Sequence, residues 1–203
     1  MAVFPESADD AVRASISELH KVAEYNVDLV REQQSPITIG IGLHFGHMMV
    51  GIVGEAGRMQ GDALSDTVNL TARIEGLTKY YGVALLVSED VVKNLQSLDQ
   101  FELRTLDRVV VKGRSEPISI YEVIDGEVDP MVRGLKLASR DGFEAAIALY
   151  QDQQWEAALE KFSEIVSKNP NDRPAELYIK RLEEFLQNPV SDDWNGVWHF
   201  QSK

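Results

Sequence analysis

Asn69 and Arg73 stand four residues apart in the run Gly61-Asp62-Ala63-Leu64-Ser65-Asp66-Thr67-Val68-Asn69-Leu70-Thr71-Ala72-Arg73-Ile74-Glu75. The pattern predicts a helix here, over about 63–80. An i, i+4 pair leaves a helix from one face, so an amide and a guanidinium can reach one ligand. Such a pair suits phosphoryl chemistry. Arginine offers a planar fork of donors that matches phosphate oxygens, and an amide can orient a sugar hydroxyl or ring oxygen. Taken alone, the pair also reads as a polar helix residue beside a solvated arginine bridged to Glu75 or Asp66. Lys112, in Lys112-Gly113-Arg114, has the same two readings, solvated turn cation or anion contact. Asp66 is either a helix N-cap or a ligand contact. His44 and His47 invite a metal reading, but a strand-to-turn location supplies no third convergent ligand, and surface or turn positions are preferred. Trp155 reads as packing between helices, while Trp194 and Trp198 either dock on a helix groove or stay mobile.

The elements that must hold these groups come from periodicity and punctuation. A helix is predicted over about 8–32, opened by Ser7 with Asp9 and Asp10 at the positive end of its dipole and ended by Pro36. Residues 37–43, β-branched and glycine-rich, read as a strand, and 48–53 as its hairpin partner across a turn near Gly46. Glycine at 40, 42, 51 and 54 marks close approach of another backbone or of a ligand. Residues 83–87 read as a buried strand, and Ser88-Glu89-Asp90 as the start of a short helix. Two further strands are predicted at 101–104 and 108–111, and another at 117–123. This order implies an α+β or α/β layer over residues 1–126.

From 127 onward the pattern is helical. Ala158, Phe162 and Pro170, with Ala145 and Ala146 upstream and Trp155 at the turn, match the second half of a tetratricopeptide unit, and the first half loosely. One unit is expected over about 138–170, with a further helix at about 172–187. A lone unit cannot bury a continuous core, so it must pack on the first part or on a partner. The resulting division is 1–126, a helical tetratricopeptide-like region at 127–190, and a polar tryptophan-bearing tail at 191–203.

Composition narrows the chemistry. The chain has 203 residues, 44% of them hydrophobic, which is enough for a real core. Zero cysteines exclude disulfides, thiolate nucleophiles and zinc–thiolate sites, and fit a reducing, cytoplasmic compartment. No run is long enough to span a bilayer, and the start lacks the pattern of a signal peptide. A net charge of −13 argues against nucleic acid or an anionic membrane surface as partner. Two or three focused cations can still hold a small phosphate ligand.

Four motifs in order carry a resemblance: Ile39-Gly40-Ile41-Gly42-Leu43-His44-Phe45-Gly46, Gly51-Ile52-Val53-Gly54, Asp66-Thr67-Val68-Asn69-Leu70-Thr71-Ala72-Arg73 and Val111-Lys112-Gly113-Arg114. From 37 to 123 the chain resembles the C-terminal two-thirds of a class III adenylate/guanylate (nucleotidyl) cyclase catalytic domain. The end of the chain looks like that of bacterial multidomain cyclases with a tetratricopeptide-like tail. The resemblance implies a ferredoxin-like α+β fold that dimerises head to tail, as a homodimer or with another cyclase subunit. It implies ATP as substrate, converted to cyclic AMP and pyrophosphate in intracellular signal transduction with Mg2+ or Mn2+. By the same carry-over Asn69 orients the ribose, Arg73 stabilises charge on the α-phosphate, and Lys112 neutralises the terminal phosphates, with Arg114 a weaker candidate. Asp62 falls where the family reads the purine, and a carboxylate accepts from the exocyclic amine of adenine. The family's metal-binding aspartates and base-selecting lysine lie before a segment like residues 1–5. The expectation is therefore a cyclase domain lacking its first strand and metal-binding hairpin, with no metal ligands of its own and inactive alone. Asp9 and Asp10, at a helix opening, are not expected to substitute. A non-catalytic module that captures a protein partner through the helical region is the alternative.

Overall fold

The computed structural model describes residues 1–55, 58–64, 66–112, 114–191 and 194–200, with side chains described everywhere there except at 50 and 52–64. Helix α1, Ala8–Arg31, begins where Ser7 turns extended and its hydroxyl accepts from the Asp10 N–H at 3.2 Å, the usual N-cap arrangement. Asp9 in its first turn is buried, accepting the backbone N–H groups of Gln96 and Ser97, each at 2.9 Å. Val12 and Leu19 then bury the inner stripe of α1 against one face of a sheet.

That sheet has five strands: β1 (Ile41–Leu43), β4 (Leu85–Ser88), β5 (Leu103–Val110), β6 (Ile118–Val123) and β7 (Trp198–His199), in the order β1-β4-β6-β5-β7. β1 runs parallel to β4, β6 antiparallel to both β4 and β5, and β7 parallel to β5. β2 (Met49–Glu55) and β3 (Arg58–Leu64) form a separate antiparallel ribbon. The architecture is α+β with a mixed sheet.

The hairpin expected between 37–43 and 48–53 does not form. Parallel neighbours need a crossover, usually through a helix, and here β1 reaches β4 through helix α2, Asp66–Tyr81. The glycines of β1 serve that crossover. A β-carbon at Gly42 would overlap the Glu75 backbone, and one at Gly40 would overlap the Thr78 side chain. β2 therefore finds its partner on its other side, in residues that the sequence pattern assigns partly to loop and partly to the start of the helix.

α2 and three C-terminal helices cover the second face: α4 (Pro130–Gln151), α5 (Trp155–Lys168) and α6 (Arg173–Gln187), with short helix α3 (Glu89–Asn94) earlier in the chain. Asp129 caps α4 and Asp172 caps α6, each with proline in the first turn, a position where the missing N–H costs nothing. Leu70, Ile74 and Leu77 of α2 share one core with Leu106, Val109, Ile118 and Ile120 of the sheet and with Phe143, Ile147, Phe162, Tyr178 and Leu182. The helical region thus packs on the first part of the chain.

A bulge decides how. The two strands expected at 101–104 and 108–111 are one strand, β5, whose register against β6 slips between Thr105 and Asp107. The extra residue re-phases the strand, so that Arg104, opposite Glu122, and Asp107, opposite Ile120, both face the helical layer. Arg104, wholly buried, donates to Glu122 and to Asp172 at 2.7 Å, and its guanidinium lies 4.3 Å from the Phe143 ring centre. Lys136 joins from α4, 2.8 Å from Glu122 and 2.9 Å from Glu127. Asp107 accepts from Tyr81 and from Arg181, each at 2.6 Å. Burial alone would raise the Glu122 carboxyl, but Arg104 and Lys136 outweigh it and hold it below its ordinary value.

Candidate functional site

α2 carries Asn69 one turn in and Arg73 a turn further. Asn69 is exposed and Arg73 half-buried, and neither side chain makes a hydrogen bond or ion pair among the described residues. The alternative in which Arg73 is tied to Glu75 or Asp66 is not what forms. Asp66 is exposed in the first turn. Their backbone is rigidly placed all the same: Leu70, Ile74 and Leu77 bury the opposite side of the helix, and Gly42 lets β1 come against it.

The N-terminal turn of α2 is pinned to the loop after β1. The Thr67 hydroxyl donates to the His47 carbonyl at 2.7 Å, and a side chain at Gly46 would press on Thr67 and His44. His44 is not a surface residue. Its side chain is 7% exposed, with Nδ1 2.8 Å from the Ser88 hydroxyl and 3.8 Å from Asp90. Burial holds its imidazole below the usual range; Asp90 opposes that and the Arg114 charge adds to it. The pattern of a strand ending in histidine could not reveal this, because Ser88 arrives from 44 residues away.

Lys112 follows β5 in a turn closed by the Arg114 N–H on the Val111 carbonyl at 3.1 Å, and is exposed. Topology brings this turn and the start of α2 to one end of the molecule. α2 returns to β4, so it runs opposite to β4 and to β1 and β5, which share the direction of β4. The start of α2 and the turn that carries Lys112 therefore both lie toward the carboxyl ends of β1, β4 and β5. Across the sheet β1 and β5 stand three strand spacings apart, roughly 14 Å.

Asp62 lies on β3, paired with Gly51 of β2, four residues before α2 begins; its side chain is outside the described ones. Gly113 likewise lies outside the described residues. Among the described residues no group of three or more His, Asp or Glu side chains comes together as a metal site. Asp9 is committed to two backbone amides and Asp10 sits on the exposed helix opening.

Residues 5–124 match the family described as Adenylate and Guanylate cyclase catalytic domain. Over 187 residues, 89% of its length, the chain is 36% identical to "Adenylate cyclase, terminal-differentiation specific" of Dictyostelium discoideum. It is 40% identical over 131 residues, 61% of its length, to "Adenylate cyclase" of Anabaena cylindrica. The chain spans only 9% and 26% of the lengths of these two relatives. Among solved structures, that of the guanylyl cyclase Cya2 superposes with a TM-score of 0.52 at 25% identity, covering 58% of this chain and 57% of that one.

Proposed function

The chain belongs to the adenylate and guanylate cyclase catalytic domain family, and on that premise we propose that it forms the nucleotide-facing part of an adenylate cyclase, making cyclic AMP and pyrophosphate from ATP in intracellular signalling. The observation that carries the reading is the placement of Asn69 and Arg73 on one face of a firmly packed helix, with no side-chain partner among the described residues. A triphosphate carries its charge along a short row of phosphate groups, which long cationic side chains from two elements can reach together. Asn69 orients the ribose, Arg73 meets the charge that builds on the α-phosphate as the 3′-hydroxyl attacks, and Lys112 holds the terminal phosphates. Fixed donors aimed where charge develops are commonly a large catalytic contribution. Asp62 selects adenine over guanine by accepting from the exocyclic amine.

The family's Mg2+ or Mn2+ ions organise the triphosphate when bound. In this division of labour a partner cyclase subunit supplies their carboxylate ligands across a dimer seam. A cytoplasmic location fits the absence, among the described residues, of any helix long and apolar enough to cross a membrane. Residues 127–190 form a helical tetratricopeptide-like region with one unit at about 138–170, a reading supported by the full burial of Ala158 and Phe162. The competing role for this region, capture of a protein partner, has less to support it, since its buried face already rests on the sheet.

A mixing assay tests the proposal. The 203-residue chain is expected to make no cyclic AMP alone with Mg2+ or Mn2+. Adding a cyclase variant that keeps its metal aspartates but lacks its transition-state arginine is expected to restore synthesis. Turnover by the chain alone contradicts the division of labour, and no recovery in the mixture contradicts the cyclase reading itself.

A further inference from the structure

The residues after α6 make contacts that the cyclase reading does not use. Gly196, at φ +76°, turns the chain close against Gln151, and Val197 is buried. Trp198 and His199 then pair with Val109 and Val110, adding a parallel strand to β5, and the Phe200 N–H donates to the Val110 carbonyl at 3.0 Å. Val110 lies two residues before Lys112. The Phe200 ring meets Tyr80 and Tyr81 edge-on, with centroids 4.9 and 6.4 Å away, so the same residue touches the end of α2. Trp198 lies over the Arg181 guanidinium at 4.0 Å. Arg181 in turn holds both Asp107 of β5 and, at 3.3 Å, the hydroxyl of Tyr81.

We propose that Trp198 and Phe200 are positioning residues of the candidate site. Each bridges α2, which carries Asn69 and Arg73, to β5, which leads into the Lys112 turn, one through Arg181 and the other directly. Together they set the spacing between the two arms that grip the triphosphate. The catalytic half of this inference rests on the cyclase reading above. The reason is geometric. The arms share no covalent neighbour, β5 is three strands away from β1, and the aromatic segment seals the gap between the far end of α2 and the outer side of β5. A displacement of about 1 Å in a reacting geometry can cost on the order of a hundredfold in rate.

The test uses the full chain with Phe200→Ala and Trp198→Ala, beside Phe200→Tyr and Trp198→Phe. Hydrogen exchange is read in each variant, and steady-state kinetics in the mixing assay. The expected result is faster exchange confined to α2 and β5, with β1 and β4 still protected. In the mixture kcat falls on the order of a hundredfold with a smaller change in KM for ATP, and the conservative variants regain most of it. Unchanged exchange in α2 and β5, or equal acceleration across the whole sheet, overturns the proposal, as does a loss of kcat that the conservative variants fail to recover. If even the wild-type mixture makes no cyclic AMP, the cyclase reading fails, while exchange still judges whether the segment couples α2 to β5. Should Phe200→Ala not fold, Phe200→Leu, which keeps the apolar bulk but not the ring edge, carries the same test.

Discussion

Asn69 and Arg73 owe their assignment to spacing that the sequence displays directly, and the structure leaves both side chains without partners among the described residues. Removing either should therefore touch chemistry and spare stability. Arg73→Ala is expected to lower cyclic AMP synthesis in a metal-supplying mixture by about 10²–10³-fold, the scale of losing one fixed donor at a developing charge. Its thermal unfolding midpoint should stay at the wild-type value, read by circular dichroism. A shifted midpoint would assign Arg73 a packing role instead. His44 shows the opposite case. Its type suggests a surface or metal-binding residue, yet its partner Ser88 and the charge of Arg114 reach it only through the fold.

At the scale of elements, two departures from the strand pattern have separate causes. Strand periodicity says which residues alternate but not which neighbour a strand takes. β1 pairs with β4 because α2 needs the glycine-lined face of β1, and β5 reads as two strands because a bulge breaks its alternation at Thr105–Asp107. That bulge also creates the buried ion clusters, which no hydropathy pattern can announce, since Arg104, Asp107, Glu122 and Arg181 read as solvent-facing. Removing one member of a buried charge cluster typically costs about 3–5 kcal/mol, so Glu122→Gln should lose stability on that scale in urea titrations at neutral pH. The Glu122 carboxyl is held below its ordinary value in the folded state. Its stabilising contribution is then fully present above about 4.5, the ordinary value, and drains away as pH falls through the lower, folded one. Wild type and Glu122→Gln should accordingly converge in stability on acidification. A constant gap between them down to the acid limit would show that the charge is not what matters.

For the whole molecule, the boundary at 126/127 divides composition but not the fold. The helical layer supplies Lys136, Asp172 and Arg181 to partners on β5 and β6, and covers Leu106, Ile118 and Ile120. A fragment of residues 1–126 would leave Arg104, Asp107 and Glu122 facing water beside bare apolar surface. It is expected to aggregate or to bind a hydrophobic dye, whereas the full chain does not. A soluble, cooperatively unfolding 1–126 fragment would show that the layer is an accessory and not part of the fold.

The sequence alone determined the family-bearing motifs, α1, the course of α2 and the i, i+4 pair on it, because these rest on local periodicity and on spacing along one helix. Only the tertiary structure decided which strand lies beside which, that the helical region closes the second face of the sheet, and that the Lys112 turn lies toward the same end of the strands as the start of α2. Those outcomes depend on contacts between residues tens of positions apart, where a one-residue bulge or a glycine facing a helix changes the partner without leaving a local pattern to read.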